Sequence, residues 1–592
     1  MQGVIYLDNS NSSSKTTTNK AEDGDKIQKD STPIAEPNPP LGQVPAEPKP
    51  ILNPPMQRYI EAYKEILSKE ETTPINPIYV DEIASKIAKI YERVRRIIDW
   101  KEENLVRRTS IERILKRRLI SEISEITILP DLEPSKIAGP MTLEMIRTGY
   151  FENGKIPEAK IEEIEKILTK YLYILKNSPY VKEGALAIKT KVQFYNWLLG
   201  IAACEIDETL DFSFRENLLI EFMTDSVHEN LQLIPEGQID EEEKFLQVYI
   251  AVHRALYGLD NPIIAYNVLK KRYPQFTQNN EDFTKEFASK IKEIWEQSDI
   301  DLEHPKRGEF QKLCEKYDAA YLIIADVLKE LEKDKNGIEK RIQNKETFKA
   351  SVEQAYKKRL ETLKKRLFRS AIYSTLSIFV AGAASLIIFE YPVAKFFYGK
   401  FSPLALVADI AIPTALMFFL VSIIKPPAKD NLEALLKEVI KVSHYQENRT
   451  PYVIKLNKKV KKLMNLIFTI IYLAGGLGSL YFIYWIFKIA GTPLTSLYIN
   501  TANVAVIVFA AMAIRQKSKE ITVKEKGSVL EFILDFFSIP LAKIGAWLSS
   551  KWKEFNFVSV FFSTLVDTPF SSFIELLEEW RNYIKDKQAE IK

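Results

Sequence analysis

The sequence predicts an all-α integral membrane protein, with a helical body, about four transmembrane helices and a set of C-terminal amphipathic helices. Three observations carry that reading. From residue 56 to about 358, apolar residues recur at spacings of three and four, and no sustained period-two alternation interrupts them. Between residues 371 and 514, successive stretches are apolar on every side over about 20 residues, the length that crosses a hydrocarbon core. Lysine and arginine crowd alternate connections between those stretches, the bias that orients helices in a bilayer.

Length and composition set the outer bounds. A chain of 592 residues holds several folded units, since single domains run to roughly 100–200 residues. A net charge of +3 excludes a molecule that binds nucleic acid through its overall charge. The two cysteines, Cys204 and Cys314, build neither a disulfide framework nor a CxxC metal signature, and read as buried thiols in a reducing compartment. The opening MQGVIYLDNS lacks the basic, apolar and small-residue regions of a signal peptide, so membrane targeting is expected from inside the chain.

Residues 1–55 are rich in Ser, Thr and Asn and then in Pro, too polar to offset the entropy of ordering. They are expected to form a disordered spacer, with docking to an SH3-like groove as the second reading. Residues 56–336 are expected to form a cytoplasmic helical domain, an irregular bundle broken at LPDLEP, KNSPY, LIPEGQ and RYPQF. Within it, Ile83, Ile87, Ile90, Val94, Ile97 and Ile98 form an apolar stripe expected to face the core. Residues 337–370, free of proline, read as a long charged helix leading into the membrane.

Residues 371–515 read as a four-helix transmembrane domain with spans at 371–389, 404–424, 463–487 and 494–514, and with a basic cytoplasmic linker at 425–462. Lys364, Lys365, Arg366 and Arg369 precede the first span, and Arg515, Lys517 and Lys519 follow the fourth. The outer connections hold few cations, which places both termini and the helical body on the cytoplasmic side of an inner membrane. The remaining stretch, 516–592, is apolar but carries Lys543, Lys551, Lys553 and Glu554, each costly at mid-bilayer. It is expected to form amphipathic helices separated at Pro540, lying in the interface with Trp547, Trp552 and Trp580 as anchors. A small cytoplasmic bundle is the alternative. The segments PLAKIGAWLSSKW and VDTPFSSFIELLEEW resemble the C-terminal ends of uncharacterised multi-pass helical membrane proteins of small uncultivated bacteria, a resemblance that implies no activity and no site residue.

Residues that could carry chemistry are few. Glu221, Asp225 and His228 share a helix face and have the donor types of a carboxylate–histidine metal site, but no second Glu-x-x-His faces them. A polar helix surface is expected, with no cofactor. His253 reads as a helix residue rather than a ligand, and no P-loop, HExxH, GxSxG or GxGxxG is present. Arg93, Arg96, Arg107, Arg108, Arg117 and Arg118 form a basic patch diluted by nearby acids. A solvated surface is the first reading, anionic lipid the second, and nucleic acid the last. Asp409, near Pro413, is the ionisable residue inside a span, expected close to the interface and otherwise a transport site. Ala381 with Ser385, Ala474 with Gly478, and Gly475 with Ser479 are small pairs that permit close helix contact, within the bundle or between two copies. The function expected is a membrane-anchored scaffold whose partners are the bilayer and a cytoplasmic protein. A transporter or channel component around Asp409 is the alternative, and an enzyme comes third.

Overall fold

The computed structural model describes residues 51–69, 75–98, 103–120, 133–179, 188–211, 213–334, 337–385, 403–428, 430–447, 449–456, 462–489, 494–523, 529–555 and 567–591, with isolated positions between. The expected N-terminal spacer lies outside them up to residue 50. Among the described residues, twenty α-helices follow in order: α1 Pro54–Lys69, α2 Glu82–Ile98, α3 Glu103–Ile120, α4 Pro134–Arg147, α5 Ala159–Asn177, α6 Ile188–Leu210, α7 Phe214–Asn230, α8 Glu241–Tyr257, α9 Asn261–Arg272, α10 Glu281–Ser289, α11 Ile291–Leu302, α12 Arg307–Leu331, α13 Ile338–Gln343, α14 Lys345–Ser385, α15 Pro403–Ser422, α16 Asn431–Ser443, α17 Lys462–Ile489, α18 Leu494–Ser518, α19 Val529–Phe555 and α20 Thr568–Ile591. The fold is all-α, with one small exception. Strands β1 Leu231–Ile234 and β2 Tyr452–Lys455 pair in parallel, Leu231 opposite Tyr452 and Leu233 opposite Ile454. Their alternate residues face the core and solvent, as a half-buried strand dictates.

Local chemistry sets several helix ends. The Asp240 carboxylate accepts the Glu243 N–H at 2.7 Å to start α8, which ends at Gly258 in the left-handed conformation at φ 60°. Asn280 caps α10 through the N–H groups of Asp282 and Phe283.

One continuous core joins α1, α3 through α13, the first half of α14, α16, both strands and Ile521, while Ala84 and Ala88 of α2 form a separate cluster with Ile574 of α20. The segment read as a basic linker therefore carries α16 and β2. Leu435, Val439, Val442, Tyr452, Ile454 and Leu456 are all buried in the body. Polar contacts lock the insertion in place. Asn53 donates its side-chain N–H to the carbonyls of Lys441 and Val442, and Asn431 donates to Ile521 O at 2.6 Å while accepting the Val523 N–H at 2.8 Å.

Helix α14 is one uninterrupted helix of 41 residues, about 60 Å long. Its first half buries Val352, Tyr356 and Leu363, whereas Phe368, Ile372, Leu376 and Phe379 beyond are largely exposed. Exposed apolar side chains continue on α15, α17 and α19, among them Phe418, Leu466, Leu477, Phe482, Phe532 and Trp547. Apolar patches this extensive are the kind of surface that meets a membrane or another protein. Among the described residues, two helices are long and apolar enough to cross a membrane, at Leu466–Ile489 and Phe532–Ser550, and Val407–Ser422 is a shorter apolar helix.

Two expectations need correction. The α2 stripe faces the core only in part: Ile83 and Ile90 are exposed and Ile87 is half-buried beside Ile574, while Ala84, Ser85, Ala88, Glu92 and Arg95 are buried. The reason is the charged neighbours of that other face, described below. The side chains of Val94, Ile97 and Ile98 lie outside the described residues. Pro540 likewise does not divide the tail, because α19 runs through it. The proline ring packs against Gly476 of α17, and such support from a neighbouring helix is what lets an apolar helix keep a proline.

Helices α18 and α19 run antiparallel, with the Arg515–Asp535 ion pair at one end and Gly545 against Ala505 further along. A Cβ on Gly545 would collide with the Ala505 carbonyl oxygen, whereas one on Gly478 meets nothing within 4 Å. Gly545→Ala is expected to lower the thermal midpoint of the detergent-purified chain, by about 1–3 kcal/mol of overpacking or more, with Gly478→Ala leaving it unchanged. A second prediction concerns the insertion. A fragment of residues 51–358 loses the buried side chains of α16 and β2, each contributing about 1.5–3 kcal/mol, which together rival the stability of a whole domain. That fragment should melt without cooperativity, and one joined to residues 426–456 by a flexible linker should melt as a unit in circular dichroism.

Candidate functional site

The two ends of the described chain meet in a charged seam. Helix α20 lies antiparallel along α2, with Ala84 and Ala88 against Ile574 and the Tyr91 ring stacked on Phe570 at 3.9 Å. The small alanines let the helices approach, and charge does the rest. Arg95 and Tyr91 both donate to Asp567, with Arg95 and Asp567 almost fully buried. Arg118 reaches Glu575 at 2.9 Å, and Arg147 reaches Glu578 at 2.5 Å. Asp81 caps α2 by accepting the N–H groups of Ile83 and Ala84, and also holds Arg581 and Lys585 of α20 at 3.0 Å.

Behind the seam, the expected basic patch turns inward. Arg113 pairs with Glu92 at 3.0 Å, and Arg117 donates to Glu144 at 2.6 Å. Arg107 bridges Asp207 and Asp211, and Arg108 bridges Glu112 and Asp260. The solvated-surface reading therefore holds for Arg93, which is exposed, and not for Arg107, Arg108, Arg117 and Arg118. Apart from Glu112 on α3 itself, their acidic partners lie far along the chain, out of reach of any local charge count. The side chain of Arg96 lies outside the described residues.

Burial alone would raise the Asp81 carboxyl, but the Ala84 N–H, the Lys585 ammonium, the Arg581 guanidinium and the Ile83 N–H outweigh it and hold the group below the usual carboxylate range. Glu144 is held low in the same way, with Arg117, Arg118 and Arg113 outweighing its burial.

Arg107 and Arg108 also line a cleft of about 480 Å³ between α3, α6, α7 and α9, together with Asp207, Glu208, Asp211, Glu216 and Tyr266. Burial pushes the Asp207 carboxyl up to about 6 against the pull of Arg107, and raises Glu216 as well. Cys204 borders the cleft, but burial drives its thiol far above its usual value and it donates to Gly200 O, so it is no nucleophile. Beneath the cleft, Lys170 is buried against Glu205 at 2.5 Å and donates to Phe276 O at 2.8 Å, and burial lowers its affinity for protons. Reading along the chain missed this pair, because its members sit on α5 and α6 with no motif to join them.

The other predicted residues disperse. Asp225 pairs with Arg58 at 2.9 Å, His228 stands 3.2 Å from Glu241, and Glu221 is exposed. Among the described residues, no group of three or more His, Cys, Asp or Glu side chains is placed to hold a metal. His253 is fully buried, where desolvation pushes it down to about 4. Asp409 is buried, not interfacial in the sense of reaching water, and accepts from Asn500 at 2.6 Å; Pro413 lies buried one turn further along α15. Gly475 and Ser479 face α19, where Ser479 donates to Phe537 O at 3.1 Å, whereas Ala474 and Gly478 are exposed. Trp547 and Trp580 are exposed, and the side chains of Trp552, Ala381 and Ser385 lie outside the described residues.

In comparison with known proteins, no family model, no curated protein and no solved structure matches the chain. The resemblance of the C-terminal stretch stays an expectation, and function rests on the geometry alone.

The seam makes a sharp prediction. Asp567→Ala leaves the Arg95 guanidinium buried without its counter-charge, a loss of about 3–5 kcal/mol. Hydrogen exchange is expected to speed up in both α2 and α20 of this variant. Carboxylates held low contribute stability at every pH above their unfolded values and lose it as pH falls through the folded ones. In the unmodified chain, α20 protection should therefore be flat at neutral pH and decline below about 4. Protection as full near pH 2 as at pH 7 would contradict the charged-seam account.

Proposed function

We propose that this is an integral inner-membrane protein with about four spans, serving as a scaffold that presents its helical body to a cytoplasmic protein partner. The observation that carries the proposal is that every apolar excursion of the chain begins and ends on one body. The chain leaves the core along α14 and is back at Leu435 of α16, after α15. It leaves again after Leu456 for α17 and α18, and is back at Ile521. Two helices out and back are two membrane hairpins, an even number of crossings each time. The last excursion, through α19, returns at Asp567 in the seam, so it adds no net crossing despite its apolar length. This parity agrees with the lysine and arginine distribution, which puts the body and both termini on the cytoplasmic side.

Support for a scaffold comes from what the body offers. Its polar cleft beside Arg107 and Asp211 is open, whereas its thiols are buried and its histidines are dispersed. The Asp409–Asn500 hydrogen bond satisfies the buried acid within the helix bundle, which favours a packing role over a transport site.

Chemical crosslinking of the full-length protein in its own cells, followed by purification and mass spectrometry, tests the scaffold directly. A stoichiometric partner bridged to residues around the cleft, and lost in Arg107→Glu, is the expected result. Self-crosslinks alone would overturn it.

A further inference from the structure

A large groove lies where α14 passes from its charged half to its apolar half. It encloses about 720 Å³ between α14, α15 and the end of α18. Phe368, Ile372, Leu376 and Phe379 of α14 form one wall, and Phe418, Val421, Ile424 and Ile514 form the others. The volume falls in the range of sites that hold a whole small ligand. Its lining is almost entirely apolar, apart from one end.

At that end stands Lys364, itself part of the lining. Lys365, Arg369 and Lys425 are exposed on the adjoining turns, whereas Arg366 is already engaged with Glu520 at 3.2 Å. Thr414 and Ser422 donate to the carbonyls of Ile410 and Phe418, so their hydroxyls do not make the groove polar. An apolar slot with a cationic lip has one complement among membrane components: an acyl chain joined to a negative headgroup. Water would leave the slot unfavourably solvated, and a neutral lipid would leave the cations without a counter-charge.

We propose that this groove is a binding site for one anionic phospholipid, its acyl chain in the slot and its phosphate at Lys364. The proposal rests on the membrane reading above, and deepens it. Bound there, the lipid would join α14, α15 and α18 at the level where the body meets the bilayer.

The test begins with alkaline extraction of membranes holding the full-length chain. Release into the soluble fraction overturns the membrane reading and the site together. With the chain retained, native mass spectrometry follows on protein purified in mild detergent with equimolar phosphatidylglycerol and phosphatidylcholine. The expected spectrum shows one phosphatidylglycerol retained in preference. Lys364→Glu should cut that preference by about fivefold or more, as loss of a cation near a membrane surface predicts, and Lys364→Arg should keep it. Thr375→Trp, filling the slot, should reduce retention of either lipid. Equal retention of the two lipids, a preference indifferent to Lys364→Glu, or a dimer mass in place of the lipid adduct would each overturn the lipid site while leaving the membrane reading intact.

Discussion

Residues 431–456 close the body, and the rest of the architecture depends on that closure. Because α16 and β2 are part of one core with α12, the chain cannot leave along α14 without returning. The first apolar hairpin is therefore a loop anchored at both ends. The second is anchored likewise by Leu456 and Ile521. Burial of Leu435, Val439, Val442 and Tyr452 supplies the apolar free energy, and the Asn431 hydrogen bonds to Ile521 and Val523 give the insertion its register. An amphipathic segment between apolar helices is thus a structural member rather than a connection.

The charged seam applies the same logic with electrostatics. Arg95, Arg118 and Arg147 lie early in the chain, and Asp567, Glu575 and Glu578 near its end. A buried arginine needs its carboxylate, because removing either partner strands a charge in a medium that solvates it poorly. That need explains why α2 turns Ile83 and Ile90 outward. Glu92 and Arg95 have partners on α3 and in the C-terminal segment, and desolvating them unpaired would cost more than exposing Ile83 and Ile90. Hydrophobic periodicity predicted a helix at α2 correctly and its buried face only in part.

Close approach governs the apolar helices. Gly545 against Ala505, and Gly475 and Gly476 against Phe536 and Pro540, bring backbones together where bulkier residues could not fit. Of the small pairs the sequence offered, Gly475 and Ser479 make such contacts and Ala474 and Gly478 do not. Small-residue spacing marks where a helix can be approached, but the neighbour decides which side is used. Asn500 shows the complementary gap. Asp409 stood out as an acid in an apolar stretch, whereas its partner was one polar residue among several at the start of α18.

By itself, the sequence determined the helical class, the positions of α2, α5, α8, α17 and α18, the change of α14 from charged to apolar, and the absence of a familiar catalytic motif. These follow from periodicity, composition and length, which are properties of neighbouring residues and survive without knowledge of the fold. The tertiary structure alone decided that 431–456 belongs to the core, that Arg107, Arg108, Arg117 and Arg118 are internal, that α19 passes through Pro540, and that α20 returns to α2. Each of these depends on pairs separated by many residues. Whether a charge is solvated or paired, and whether an apolar face is covered, is settled by what another segment brings to it, and no local pattern records that arrival.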